Sequence, residues 1–198
     1  MLEVMTSLCL GLGIAAACGL RVFLPLFILC LGARYNVFTP SESFSWIGSW
    51  QTLTVVGAAC IFEVCGYYIP FVDNALDTLK VPASFVAAAG AMAAQMGDVH
   101  PVVTWSAALI AGGVASGVTA GTATMRATST ATTGGVANPI LATFENILAA
   151  ITGFLAIVLP IIIGFVILIL AVGVYLLIRR RRARLAREVA ANPVAIAG

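Results

Sequence analysis

Two arginines, Arg21 and Arg126, and two glutamates, Glu63 and Glu145, stand inside stretches that otherwise carry almost no charge. Where such stretches cross a bilayer, a lone charge at the centre costs at least about 2.5–3.5 kcal/mol, so these groups must pair or face water. Arg126 lies within Thr119 to Pro139, TAGTATMRATSTATTGGVANP, a run with no acid and a single base. Its guanidinium stays charged and offers a planar fork of donors that fits a carboxylate or a phosphate. Around it, Thr128, Ser129, Thr130, Thr132 and Thr133 supply neutral hydroxyl donors, and Gly134 and Gly135 let backbone N–H groups come close. A helix beginning at Asn138 would add its positive dipole end. With Arg21 as a second cation, the set is an expected binding site for an anionic solute or a phosphate-bearing lipid. The competing expectation is structural: Arg21–Glu63 and Arg126–Glu145, or the crossed pairing, lock helices together and bind nothing.

The remaining charges are fewer. Asp73 and Asp77 share one helical face, with Lys80 three residues further on. As a solvated face or local cap they need no function; with Glu63 and Glu145 they would instead form an ion- or proton-coupling set. The single histidine, His100, is expected in a surface turn, and Tyr67 and Tyr68 before Pro70 as an interfacial anchor. Five cysteines (Cys9, Cys18, Cys30, Cys60 and Cys65) lie in apolar segments without a CxxC pair, so neither a disulfide framework nor a metal site is expected, and no cofactor. There is no HExxH and no Ser/His/Asp arrangement, and no nucleophile has a base beside it. An enzyme is not expected.

The elements that must carry these residues follow from composition. The chain has 198 residues, 61% of them hydrophobic and 9% charged, with mean hydropathy +1.08. Soluble domains carry roughly 25% charged residues, so an all-α polytopic membrane protein of about five to six transmembrane helices is expected. Continuous apolar runs without alternation exclude a β-barrel. A first span, about Ser7 to Leu31, is interrupted by Gly19, Arg21 and Pro25; an aromatic stretch from Ala33 to Gln51 suits a headgroup-level loop. Further spans are expected at about Leu53 to Val72, Ala83 to Met96, with Pro82 stopping the preceding turn, and Val102 to Ala120. The Thr/Gly run then reads as a broken or re-entrant element, because non-helical backbone survives at membrane depth only where protein covers it or where it lines a wet cavity. A helix should start with Asn138 as cap and Pro139 as its first residue. From Ile147 to Ile178 the apolar run is about 48 Å long at 1.5 Å per residue, against a hydrocarbon core of about 30 Å, so a break at Pro160 into two segments is preferred over one kinked helix.

Six of the ten basic residues (Arg179, Arg180, Arg181, Arg182, Arg184 and Arg187) follow Ile178. The positive-inside rule puts them in the cytoplasm, giving a transmembrane domain at 1–178 and a basic cytoplasmic tail at 179–198. Such a cluster beside a span is a stop-transfer anchor for lipid headgroups and not a nucleic-acid surface. Membrane lipids are the expected partners.

Small-residue ridges precede both arginines: Gly11, Ala15 and Gly19 before Arg21, and Gly113, Gly117 and Gly121 before Arg126. They suit close helix contact, including a homodimer. Paired interruptions in two halves also make a candidate inverted repeat around a transport site. The stretches CGLRVFLPLF (18–27), YYIPFVDNALDT (67–78) and RATSTATTGGVANP (126–139), followed by Glu145, together resemble the bacterial membrane family known as domain-of-unknown-function family 4126. The likeness spans roughly Leu10 to Leu159. It implies a multi-span fold in the bacterial inner membrane and implies no substrate. Two functions remain open: a small translocator, or a non-transporting membrane scaffold whose Arg/Glu pairs are structural.

Overall fold

The computed structural model describes residues 2–97 and 99–191, with the side chains of Pro70, Phe71, Asn74 and 185–191 outside the description. The order is α1 (Leu2–Leu20), α2 (Phe23–Arg34), a 3₁₀ helix (Glu42–Gly48), α3 (Trp50–Gly66), α4 (Pro70–Gln95), α5 (Pro101–Thr133), α6 (Asn138–Val158) and α7 (Pro160–Ala191). No strand occurs among the described residues. Four helices are long and apolar enough to cross a membrane: α1, α5, α6 and Pro160–Arg184 of α7. The 3₁₀ helix and α3, bent by 64° at Ser49, make a fifth when taken as one broken span. The molecule is therefore an all-α, polytopic membrane protein.

The centre of the bundle is α1, which packs against α4, α5, α6 and α7. Its second half, Gly11 to Gly19, is almost wholly buried and almost wholly Gly, Ala and Cys, the composition that lets backbones approach where lipid offers no hydrophobic drive. A Cβ built on Gly19 would lie 2.6 Å from the Ala115 carbonyl oxygen of α5. On Gly13 it would lie 2.6 Å from the Ala156 Cβ of α6. Ile14, Cys18, Ala88, Ala91, Met92, Ala108, Ala111 and Ala115 close the core. By contrast α7 is exposed along most of its length, and its large exposed side chains as far as Ile178 are Ile, Leu, Val, Phe and Tyr, a lipid-facing surface that continues directly into Arg179 to Arg184.

The interruption expected in the first span falls between Leu20 and Phe23, at Arg21 and Val22. The apolar run after Asn138 divides at Pro160, as preferred. Two expectations change. Pro82 lies inside α4 and does not end it, so the span expected from Ala83 is the second half of one helix. An interior proline costs about 3 kcal/mol in water, but packed neighbours re-satisfy the freed backbone in membrane helices, and Ala88, Ala91 and Met92 hold this half in the core.

The Thr/Gly run is likewise helical to Thr133; only its end, Gly134 (φ 63°) and Gly135 (φ 87°), breaks. Its hydroxyls explain why. Thr124, Thr128, Thr132 and Thr133 each donate to the carbonyl four residues back, at 2.7–2.9 Å. A side chain satisfied within its own helix needs neither water nor an irregular backbone. α6 begins one residue off expectation, with Ala137 as cap and Asn138 as its first residue.

The two glycine ridges meet different fates. The ridge on α1 is consumed inside the bundle, whereas a Cβ on Gly113, Gly117 or Gly121 of α5 would meet nothing within 4 Å. Gly19→Ala is expected to lower stability by about 1–3 kcal/mol through overpacking, and Gly117→Ala to be neutral or slightly stabilising, since Ala is the better helix former. Thermal unfolding of the two variants in detergent checks both.

Candidate functional site

The break after α1 places Arg21 at the middle of the bundle and frees the first N–H groups of α2. Glu63, near the end of α3, takes them: its carboxylate accepts from Val22 N at 2.7 Å and Phe23 N at 2.9 Å. Glu63 is thus a capping group from another helix, placed where the positive dipole end favours a carboxylate. The expected Arg21–Glu63 pair does not form.

Arg21 turns instead to α6. Its guanidinium lies 3.2 Å from Glu145 Oε2, donates from Nη2 to the Ala142 carbonyl at 3.1 Å, and donates from Nε to Asn146 Oδ1 at 2.5 Å. Arg126, two turns before the end of α5, reaches the same carboxylate with two donors, Nη2 to Oε2 at 2.9 Å and Nε to Oε1 at 3.3 Å. The expected Arg126–Glu145 pair therefore exists, and Arg21 shares it. Lys80 of α4 is the third cation, 3.6 Å from Glu145 Oε2. α4 also supplies Asp73, which accepts from Arg126 Nη1 at 2.5 Å, and Asp77, 4.0 Å from Arg126 Nε.

Tyr67, the residue after α3, sets its ring among the cations. The ring centre is 3.6 Å from the Arg21 guanidinium carbon, 4.6 Å from that of Arg126 and 5.6 Å from Lys80 Nζ. Such contacts strengthen when desolvated, and desolvation here is nearly complete: Arg21 is 0% exposed, Arg126 3% and Asp73 4%. A polar ladder continues the network into the apolar core. Lys80 donates to Thr122 Oγ1 at 3.3 Å, Thr122 to the Thr119 carbonyl, and Thr119 Oγ1 lies within hydrogen-bond distance of Ser84 and of the Gly19 carbonyl.

The structure thus joins Arg21, Arg126, Glu145, Asp73 and Asp77, with Glu63 beside them as a cap. Asp73 and Asp77 are not a solvated face, because the stripe they form with Lys80 points into the bundle. Three participants were not anticipated: Lys80, Tyr67 and Asn146. The spacing of Asp73, Asp77 and Lys80 along one helical stripe was the available signal for Lys80. Asn146, a polar residue next to Glu145 in an apolar helix, was another. Nothing in the local sequence around Tyr67 marks it as anything but an interfacial aromatic.

The Thr/Gly residues are divided between two hollows. Thr130, Gly134, Gly135 and Asn138 face Tyr67, Tyr68 and Asp73 across a cavity of about 310 Å³. Asn138 donates to Thr130 Oγ1 at 3.2 Å at its rim. Thr128, Ser129, Thr132 and Thr133 line a separate, open groove of about 440 Å³ with Met125 and Leu141. None of their hydroxyls bonds Arg126 among the described contacts; the Ser129 hydroxyl is buried and unpartnered. His100 caps the start of α5, its Nδ1 accepting from Val102 N at 3.3 Å, and is exposed. Among the described residues no group of His, Cys, Asp or Glu is arranged to hold a metal ion.

A buried network of this kind is costly to break. Glu145→Gln leaves three cations short of their shared carboxylate and is expected to cost about 3–5 kcal/mol. Asp77→Asn, at a longer and partly exposed contact, is expected to cost less than about 1 kcal/mol. Unfolding midpoints in detergent rank the two.

The family model described as "Domain of unknown function (DUF4126)" matches residues 8–180. No curated protein and no solved structure matches the chain.

Proposed function

The chain belongs to the DUF4126 family, and from its site we propose a small membrane translocator for an anionic solute or a phosphate-bearing lipid, with Arg126 as the anion-holding group. One observation carries this: Asp73 lines the 310 Å³ cavity, and Asp73 is bonded to Arg126. The cavity is read as a vestibule with an arginine–carboxylate contact in its lining. Its walls hold hydroxyl and amide groups of Thr130 and Asn138, two tyrosine rings, and the two glycines that give close access to backbone. A guanidinium in such a contact suits a tetrahedral oxyanion better than an ammonium would, because it offers paired planar donors. Charged groups inside a membrane mark functional sites by default, and a bundle needing only rigidity gains as much from apolar packing as from buried ions. Asp73, Asp77, Glu145 and Glu63 are the proposed coupling acids. The proposed location is the bacterial inner membrane, with Arg179 to Arg184 on the cytoplasmic side by the positive-inside rule.

A non-transporting scaffold is the second reading. Both guanidiniums are already engaged by carboxylates, and the open Gly113–Gly117–Gly121 edge would accept a partner helix, a second copy included.

The two readings differ in solvent access at the vestibule. In a Cys65→Ala background, which removes the exposed native thiol, Thr130→Cys is expected to react with a membrane-impermeant thiol reagent. Inorganic phosphate slowing the reaction identifies a soluble anion. Phosphatidylglycerol vesicles slowing it, with phosphate inactive, identify a lipid headgroup. Arg126→Lys is expected to weaken that protection by at least about tenfold. An inert Thr130→Cys supports the scaffold.

A further inference from the structure

We infer that an anion reaches Arg126 only together with one proton, which Asp73 accepts as it gives up the guanidinium; this rests on the translocator proposed above. The network explains the coupling. Arg21, Lys80 and Arg126 are met by Glu145, Asp73 and Asp77, while Glu63 is held separately by the α2 backbone. Each cation already has a carboxylate at 2.5–3.6 Å, so the centre has no spare positive charge for an incoming anion.

An anion added to that balance would face displaced carboxylate in a low-dielectric interior, where like charges repel strongly. Neutralising one acid removes the obstacle. Asp73 is the acid placed to do so. Of the three it is the one that lines the vestibule, and among the described residues its ion pair is with Arg126. Glu145 is shared by three cations, and Asp77 stands at 4.0 Å from Arg126.

The charged and titratable groups around Asp73 are Arg126 of α5, Glu145 of α6, Arg21 from the α1–α2 break, Tyr67 and Tyr68 after α3, and Asp77 of its own helix, with Lys80 reaching the cluster through Glu145. In the exchange the contact from Arg126 Nη1 to Asp73 Oδ1 opens. A proton from the aqueous side binds the carboxylate, and Nη1–H donates to an oxygen of the anion. For a monoanion the charge of the centre is unchanged. Asp73 is in this sense the resting occupant of the anion's place.

The test uses two probes that stay monoanionic between about pH 5 and about pH 8, the range over which unperturbed carboxylates are ionised: radiolabelled dimethyl phosphate, and phosphatidylglycerol in detergent micelles. Binding of at least one to the purified full chain is expected to weaken about tenfold for each unit rise in pH, the slope of one proton taken up. A pH-indicator dye in weak buffer should record the same single proton per bound anion in the unmodified protein. In Asp73→Asn, which imitates the neutral acid, the slope should vanish and binding at about pH 8 should rise to the low-pH level of the parent. If Asp73→Asn does not fold, the dye measurement alone decides. Binding without pH dependence and without proton uptake overturns the coupling and leaves the translocator standing. A slope that survives in Asp73→Asn assigns the proton to another group and also overturns it. Failure of both probes to bind at any pH overturns the coupling and the translocator together.

Discussion

The carboxylate of Glu145 is the interaction on which the rest of the centre depends. It sits on an apolar helix yet draws in Arg126 through two donors, Arg21 at 3.2 Å and Lys80 at 3.6 Å. Each of those cations comes from a different element, so one side chain ties α6 to α4, to α5 and to the α1–α2 break. Desolvating an ion costs several kcal/mol, and only dense, well-directed pairing offsets it. That condition explains the crowding. Asn146 and the Ala142 carbonyl take Nε and Nη2 of Arg21 and the face of Tyr67 covers its plane, while Nη1 is buried without a hydrogen-bond partner among the described residues. The Thr122 hydroxyl accepts from Lys80.

Such a network requires backbones close enough for short carboxylates to reach. The small residues of α1 provide this. With Gly19 set directly against Ala115 and Val118, α5 runs so near α1 that Arg126 and Arg21 arrive at one acid. Ending α1 at Leu20 then exposes the N–H groups of α2, and Glu63 answers them. The helix break and the buried arginine are two results of one arrangement: without the break, Arg21 could not turn toward α6, and without Glu63 the break would leave donors unsatisfied in an apolar interior.

Much of this was legible from residue types, and the parts that were not share one cause. Long apolar runs, the interruption near Arg21 and the division at Pro160 follow from local chemistry and are present in the fold. So is the Arg126–Glu145 pair. The sequence offers opposite charges, however, without saying which competitor reaches each first. Glu63 was expected to pair with one of the two arginines and is instead claimed by two backbone donors that only the three-dimensional break creates. The Thr-rich run was expected to be irregular, because its polarity is visible and its ability to satisfy itself, hydroxyl to carbonyl four residues back, is not. Asp73, Asp77 and Lys80 look like any solvated stripe. Only the position of α4 against α5 turns that stripe inward.

The same balance limits what the centre can do. A cluster with excess positive charge would hold an anion tightly and release it slowly. Here each of the three cations already has a carboxylate, so an added anion would have to be offset in charge, and the group that offsets it would set the conditions of the exchange. The placement of Asp73 is informative for that reason. Asp73 lines the cavity, Arg126 does not, and the two are bonded, so on the proposed reading an anion in the cavity would meet the carboxylate first. In the proposed translocator, repulsion from the charged carboxylate would keep anions out, and the fork of donors it is bonded to would favour them once it is neutral. On the proposed translocator reading, selectivity and gating would reside in one ion pair, with Glu145 bonded to the same guanidinium.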